Sequence, residues 1–208
     1  MATEAQQNIC KTAGQLFYKF GIRSVSIDDI CRQMGISKKT FYVSFDTKDN
    51  LVEAVLKEAV KHMSETISTK LGTENLQCWL RSLAEQVKHD DSDVRHVPQL
   101  VFDLQKYYPS LFYTYQKDVF ELQRKHIAET IRFGQQEGIV RTDINADDSA
   151  IFFAKLHAEA IRSIEEMEKG GVNMTLYTKN MIKILVRGTL SEKGIQAFES
   201  EILQHTEN

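Results

Sequence analysis

Two prolines and ten glycines in 208 residues, with no stretch of alternating apolar and polar residues, leave little punctuation for a strand-and-turn architecture. Proline and glycine are the strongest local breakers, and the long intervals between them favour helices. The chain also lacks any run of about 18 apolar residues, the length a membrane-spanning helix needs. Its start, MATEAQQN, has none of the basic-then-apolar layout of a signal peptide, so a cytoplasmic protein is expected. Cysteine is scarce: Cys10, Cys31 and Cys78 are odd in number and far apart, and each falls within a helical pattern. That spacing argues against a disulfide framework and a zinc site and predicts small buried hydrophobes, with redox sensors the alternative. No HExxH, nucleophile elbow, phosphate loop or Glu-x-x-His pair is present, so neither an enzyme, a cofactor nor a metal is expected.

What the chain does have is an uneven distribution of charge. The net charge of -3 by itself speaks against a nucleic-acid binder. Residues 1–50, however, carry seven Lys/Arg against five acids, a net +2, whereas residues 51–208 carry 19 bases against 24 acids, a net -5. A small positive head on a larger acidic body is the arrangement expected of a DNA-binding module attached to something else. The 42% of hydrophobic residues suffices for a sizeable core.

Helical periodicity organises the whole chain. Ile9, Ala13, Leu16, Phe17 and Phe20 predict a first helix over about 4–20, closed by Gly21 as a left-handed cap. Ser26 offers an N-cap with Asp29 three residues on, and Ile27, Ile30, Cys31 and Met34 form the stripe of a short second helix that Gly35 ends. Ile36 fills the corner, Ser37 caps the third helix, and Phe41 and Phe45 point back to the first two. From Lys48 the stripe Leu51, Val52, Val55, Leu56, Ala59, Val60, Met63, Ile67 and Leu71 runs unbroken to Gly72, so no flexible linker separates head from body. Further helices are expected at about 76–88, from Pro98, from Pro109 to Gln136, over 147–168, over 174–190 and over 192–203, with GIVRTDIN as a connector.

IDDICRQMGISKKTFYVSF has the layout of two helices crossing steeply through a three-residue turn, so that the second can enter a major groove. Its outward positions, Ser37, Lys38, Lys39, Thr40 and Tyr42, are donors and short polar groups suited to phosphates and base edges. With Leu16-Phe17 and Gly21, Ser24-Val25-Ser26, Ile30-Cys31, Gly35-Ile36-Ser37, Thr40-Phe41-Tyr42 with Phe45, and Lys48 with Leu51, residues 9–56 closely resemble the TetR-type (tetracycline-repressor) family of transcriptional regulators. The resemblance implies that Ser26, Tyr42 and the helix N-terminus at Lys48 hold phosphates, while Ser37, Lys38, Lys39 and Thr40 lie nearest the bases. For Lys38, base and phosphate contact remain open alternatives. Ser44 departs from the pattern, because many relatives have a phosphate-binding histidine there.

The resemblance further implies an all-α protein of about nine to ten helices: a helix-turn-helix DNA-binding domain over residues 1–47 and an effector-binding and dimerisation domain over residues 48–208. The expected function is that of a ligand-responsive regulator, a repressor that binds a near-palindromic operator as a homodimer and is released by a small, largely apolar or aromatic effector. Trp79, Phe102, Tyr107, Phe112, Tyr115, His126, Phe153 and His157 are candidates for the effector pocket; plain core is the alternative for the aromatics, and a satisfied or exposed histidine for the other two. Ala154, Ala158, Ile161, Ile182, Leu185 and Val186 are candidates for the dimer contact. The cluster His89, Asp90, Asp91, Asp93 and His96 matches no regular coordination pattern and reads as a solvated loop. The rival function is a ligand-independent architectural or protein-docking helical module.

Overall fold

A computed structural model of the chain describes residues 3–72 and 97–204. Trp79, Cys78, the expected helix at 76–88 and the 89–96 cluster lie outside the described residues. Among the described residues the secondary structure is helical: α1 (Glu4–Phe20), α2 (Ile27–Met34), α3 (Lys38–Ser44), α4 (Lys48–Gly72), α5 (Val97–Tyr107), α6 (Pro109–Gln136), α7 (Ala146–Lys169), α8 (Met174–Thr189) and α9 (Glu192–Gln204). No helix among them is long and apolar enough to cross a membrane.

The helix starts follow from capping chemistry. A helix leaves its first amide groups without partners, and a side-chain oxygen just before it can accept from them. Thr3 and Ser26 each accept from the amide three residues on, while Gln6 and Asp29 reach back to the cap amide, which makes a reciprocal pair at both α1 and α2. Ser37 accepts from the Thr40 amide at 3.1 Å, and Thr47 from the Asn50 amide at 3.1 Å. Gly35, at φ 66 and ψ 28, ends α2 in the left-handed conformation that the tight corner requires. Gly21 departs from the expected left-handed cap: its φ is 80 but its ψ is 153, so the chain leaves α1 extended and Ile22 turns back into the core.

The chain divides into two compact units, Met1–Ser64 with Asp93–Val119 and Glu65–Ser92 with Phe120–Asn208. In the first, Ile9, Ala13 and Phe17 of α1, Ile22 and Val25 of the loop, Ile30 of α2, Phe41 of α3 and Leu51 and Val52 of α4 are almost wholly excluded from water. Each large side chain so placed contributes about 1.5–3 kcal/mol relative to exposure. Leu104 of α5 and Phe112 of α6 belong to the same cluster, so the unit built around the first three helices is larger than residues 1–47. Cys10 and Cys31 are buried free thiols.

In the second unit Ile131, Ile139, Val140, Ala146, Val186, Leu190 and Phe198 form the core. The connector after α6 is not a free loop. Val140 pairs with Leu190 in an isolated antiparallel bridge, the Arg141 amide donates to the Thr189 carbonyl (3.0 Å), and the Ser191 amide donates to the Ile139 carbonyl (2.8 Å). This pairing satisfies backbone groups that two adjoining helix ends would otherwise leave open.

Candidate nucleic-acid interface

The seven residues of α3 divide sharply by environment. Phe41 is fully excluded from water and Phe45, just beyond the helix, is 8% exposed. Their rings lie 6.0 Å apart and anchor the inner face. On the outer side Ser37, Lys38, Lys39, Thr40 and Tyr42 are all exposed, with Tyr42 at 47% and its ring edge-on to Phe41 at 5.5 Å. The Gln6 side chain of α1 donates to the Ser44 carbonyl (3.1 Å) and ties down the end of the helix. A rigid apolar footing thus holds a polar edge outward.

Several of these side chains already have work inside the protein. The Ser26 hydroxyl accepts from the Asp29 amide (3.2 Å) and donates to the Asp29 carboxylate (2.5 Å). These bonds from the Ser26 side chain and backbone hold the Asp29 carboxyl below its usual range. Ser37 both caps α3 and shares a hydrogen bond with the Thr40 hydroxyl at 2.9 Å. Lys38 pairs with Asp28 of α2 at 2.8 Å, and that contact raises the pKa of the ammonium. Asp28 is therefore an acid beside the basic edge, which the outward positions of α3 alone did not reveal. Lys39 has no ion-pair partner among the described residues and is exposed.

Lys48 is the residue whose place differs most from that expected of a phosphate ligand. Its ammonium is half-buried and donates to the carbonyls of Ile22 (2.6 Å) and Val25 (2.5 Å), 5.8 Å from the centre of the Phe17 ring. Burial holds its pKa below the ordinary lysine value. It braces the loop before α2 from within, while the Thr47, Asp49 and Asn50 side chains around it are exposed.

A buried acid braces the same loop from another side. Asp103 of α5, 2% exposed, accepts from the Arg23 amide (2.9 Å) and from the Gln99 side chain (3.0 Å). The Arg23 guanidinium lies 4.9 Å from the Tyr107 ring centre and donates to the Tyr107 hydroxyl. Sequence reasoning missed Asp103; an acid at a core-facing position of an apolar helix, Leu100-Val101 and Leu104 around it, was the available signal.

The body candidates separate into the two units. Phe112 is core of the first, Tyr107 belongs to the Arg23 cluster, Phe102 is 38% exposed and lies 5.1 Å from the Lys106 ammonium, and Tyr115 is half-buried with its phenol pKa raised by burial. In the second unit Phe153 packs on the core, the exposed His157 has its Nδ1 3.2 Å from the Gln123 side-chain nitrogen, and the half-buried His126 offers its carbonyl to the Thr130 hydroxyl (2.9 Å). Of the dimer candidates, Ala154 and Val186 are buried within the subunit, Ala158, Ile182 and Leu185 are half-buried, and the Ile161 side chain lies outside the described residues. Among the described residues, the large apolar side chains that α7 and α8 leave exposed are Ile151 (37%), Phe152 (58%), Leu176 (57%) and Ile184 (64%).

An all-helical chain with a capped helix-turn-helix at its start is the class that this geometry defines. Residues 9–55 match the model of the bacterial regulatory proteins, tetR family. Solved structures share the fold: a TetR transcription regulator from Haloarcula marismortui (16% identity, TM-score 0.70, covering 90% of this chain and 99% of that one) and the reduced form of NemR from E. coli (13%, 0.63, 90% and 98%). A candidate transcriptional regulator from Saccharomonospora viridis, in complex with choline, is 22% identical with a TM-score of 0.66, covering 91% of this chain and 99% of that one. No curated protein matches the chain in sequence. The head thus matches the tetR-family model, and nine-tenths of the chain shares the fold of these solved regulators.

Proposed function

We propose that the chain is a ligand-responsive repressor that grips a near-palindromic operator as a homodimer. The observation that carries this reading is α3 itself: Phe41 fully buried beneath, and Ser37, Lys38, Lys39, Thr40 and Tyr42 exposed above. Lys39, without an ion-pair partner among the described residues, is the available cation of the edge, Lys38 reaches the groove once it leaves Asp28, Thr40 and Ser37 present hydroxyls to base edges, and Tyr42 with Ser26 and the start of α4 fix the register on phosphates.

Two heads on one duplex require an isologous dimer. Ile151, Phe152, Leu176 and Ile184 supply exposed apolar surface on α7 and α8, with the half-buried Ala158, Ile182 and Leu185 on the same helices. The effector contacts its own unit through Phe153, His157 and His126. Because α4 runs as one helix from the head to residue 72, an effector that shifts it alters the spacing of the two recognition helices and lowers operator affinity. Linkage then demands that operator lower effector affinity by the same factor.

The test uses the full chain. Selection from a random duplex pool should return a near-palindrome, and its binding should weaken steeply with salt. Lys39→Ala and Tyr42→Ala should each reduce affinity with dimer and helicity unchanged; undiminished binding by both variants overturns the reading.

A further inference from the structure

Val43 is the most exposed of the large apolar side chains described, at 82%, and it sits within the seven residues of α3. Helical spacing places it on one ridge with Lys39, four residues earlier, on the side of α3 opposite the buried Phe41. At that exposure the isopropyl group is scarcely covered by any of the described residues, so folding does not call for it. A valine in this place is also the wrong residue for phosphate, because it has neither charge nor donor. The base-pair edge it matches in a major groove is the one that carries an apolar group, the 5-methyl of thymine.

We infer that Val43 is a specificity-determining residue that packs on a thymine methyl in each half-site, one helical turn from the pair contacted by Lys39. The inference rests on the operator reading and adds to it one base identity. Its strength is that of a buried methyl: losing the thymine methyl should weaken binding about fourfold, the equivalent of about one CH₂ removed from contact.

The experiment takes the duplex selected by the full-length protein and replaces its thymines, one per half-site at a time, with deoxyuridine, which differs only by that methyl. Affinities are measured for the natural chain and for Val43→Ala, a substitution that an exposed helical site accepts without loss of fold. One symmetric thymine whose replacement costs the natural chain about fourfold and costs V43A nothing supports the inference. Equal costs for both proteins at every thymine, or half-sites without thymine, overturn it and leave the operator reading standing. Failure to select any duplex overturns both.

Discussion

The Arg23 backbone amide donates to the Asp103 carboxylate at 2.9 Å, a contact between residues 80 positions apart that ties the loop before α2 to helix α5. The loop's other side is held by the Lys48 ammonium. Loop 21–25 joins α1 to α2, so these two contacts brace the approach to α2 and α3 although neither residue lies on the exposed edge of α3.

Gly21 stands against this contact. A Cβ at its φ of 80 would lie 2.9 Å from an Asp103 carboxylate oxygen, so Gly21→Ala should cost about 1–3 kcal/mol from backbone strain alone and more from the clash. Asp103→Ala leaves the Arg23 amide without its acceptor, at about 1–3 kcal/mol. Denaturant unfolding of the two single variants and the double variant should give a double cost smaller than the sum, because shortening Asp103 removes the clash. Strict additivity would place the two residues out of contact.

Lys48→Met should lower stability by about 1.5–3 kcal/mol through the two charge-assisted bonds to the Ile22 and Val25 carbonyls. The loss should appear in thermal unfolding without DNA. A variant as stable as the natural chain would return Lys48 to the role of a simple phosphate ligand.

Asp28→Asn should strengthen binding of any duplex and steepen its salt dependence, because it frees Lys38 and removes an acid from beside the basic edge. Both partners are more than half exposed, so the melting temperature should scarcely move. Weaker DNA binding by this variant would mean that Asp28 orients Lys38 rather than restrains it.

Burial and the nearby Glu58 carboxylate push the Cys10 thiol up to about 11, and burial likewise raises Cys31. At pH 8 neither thiol should react with iodoacetamide until the protein unfolds, as peptide mapping would show. Because the folded thiol of Cys10 ionises later than the unfolded one, its contribution to stability is intact below about pH 9 and is lost as pH rises through about 11. Cys10→Ala should flatten that part of the stability profile.

The helix boundaries of the head were legible because the signals are local. Ser26 with Asp29, Gly35 and Ser37 lie within a turn of the ends they cap, and the apolar stripe repeats every three or four residues. Phe41 inward and Tyr42 outward follow from that period alone. The candidate site was legible to the same depth: which side chains face out was set by spacing, but which of them are engaged was not. Lys38 and Asp28 lie on different helices, and only the crossing of α2 and α3 brings them to 2.8 Å.

By itself, then, the amino-acid order determined a helical chain whose first helices carry a polar, basic outward edge, since capping, periodicity and glycine geometry act over a few residues. Tertiary structure alone decided that Lys48 turns inward, that Asp103 and Phe112 join the head's unit, and that Ala154 and Val186 are spent on the subunit's own interior. Those outcomes depend on contacts between distant segments, where burial and hydrogen-bond satisfaction choose among side chains that the local pattern leaves equivalent.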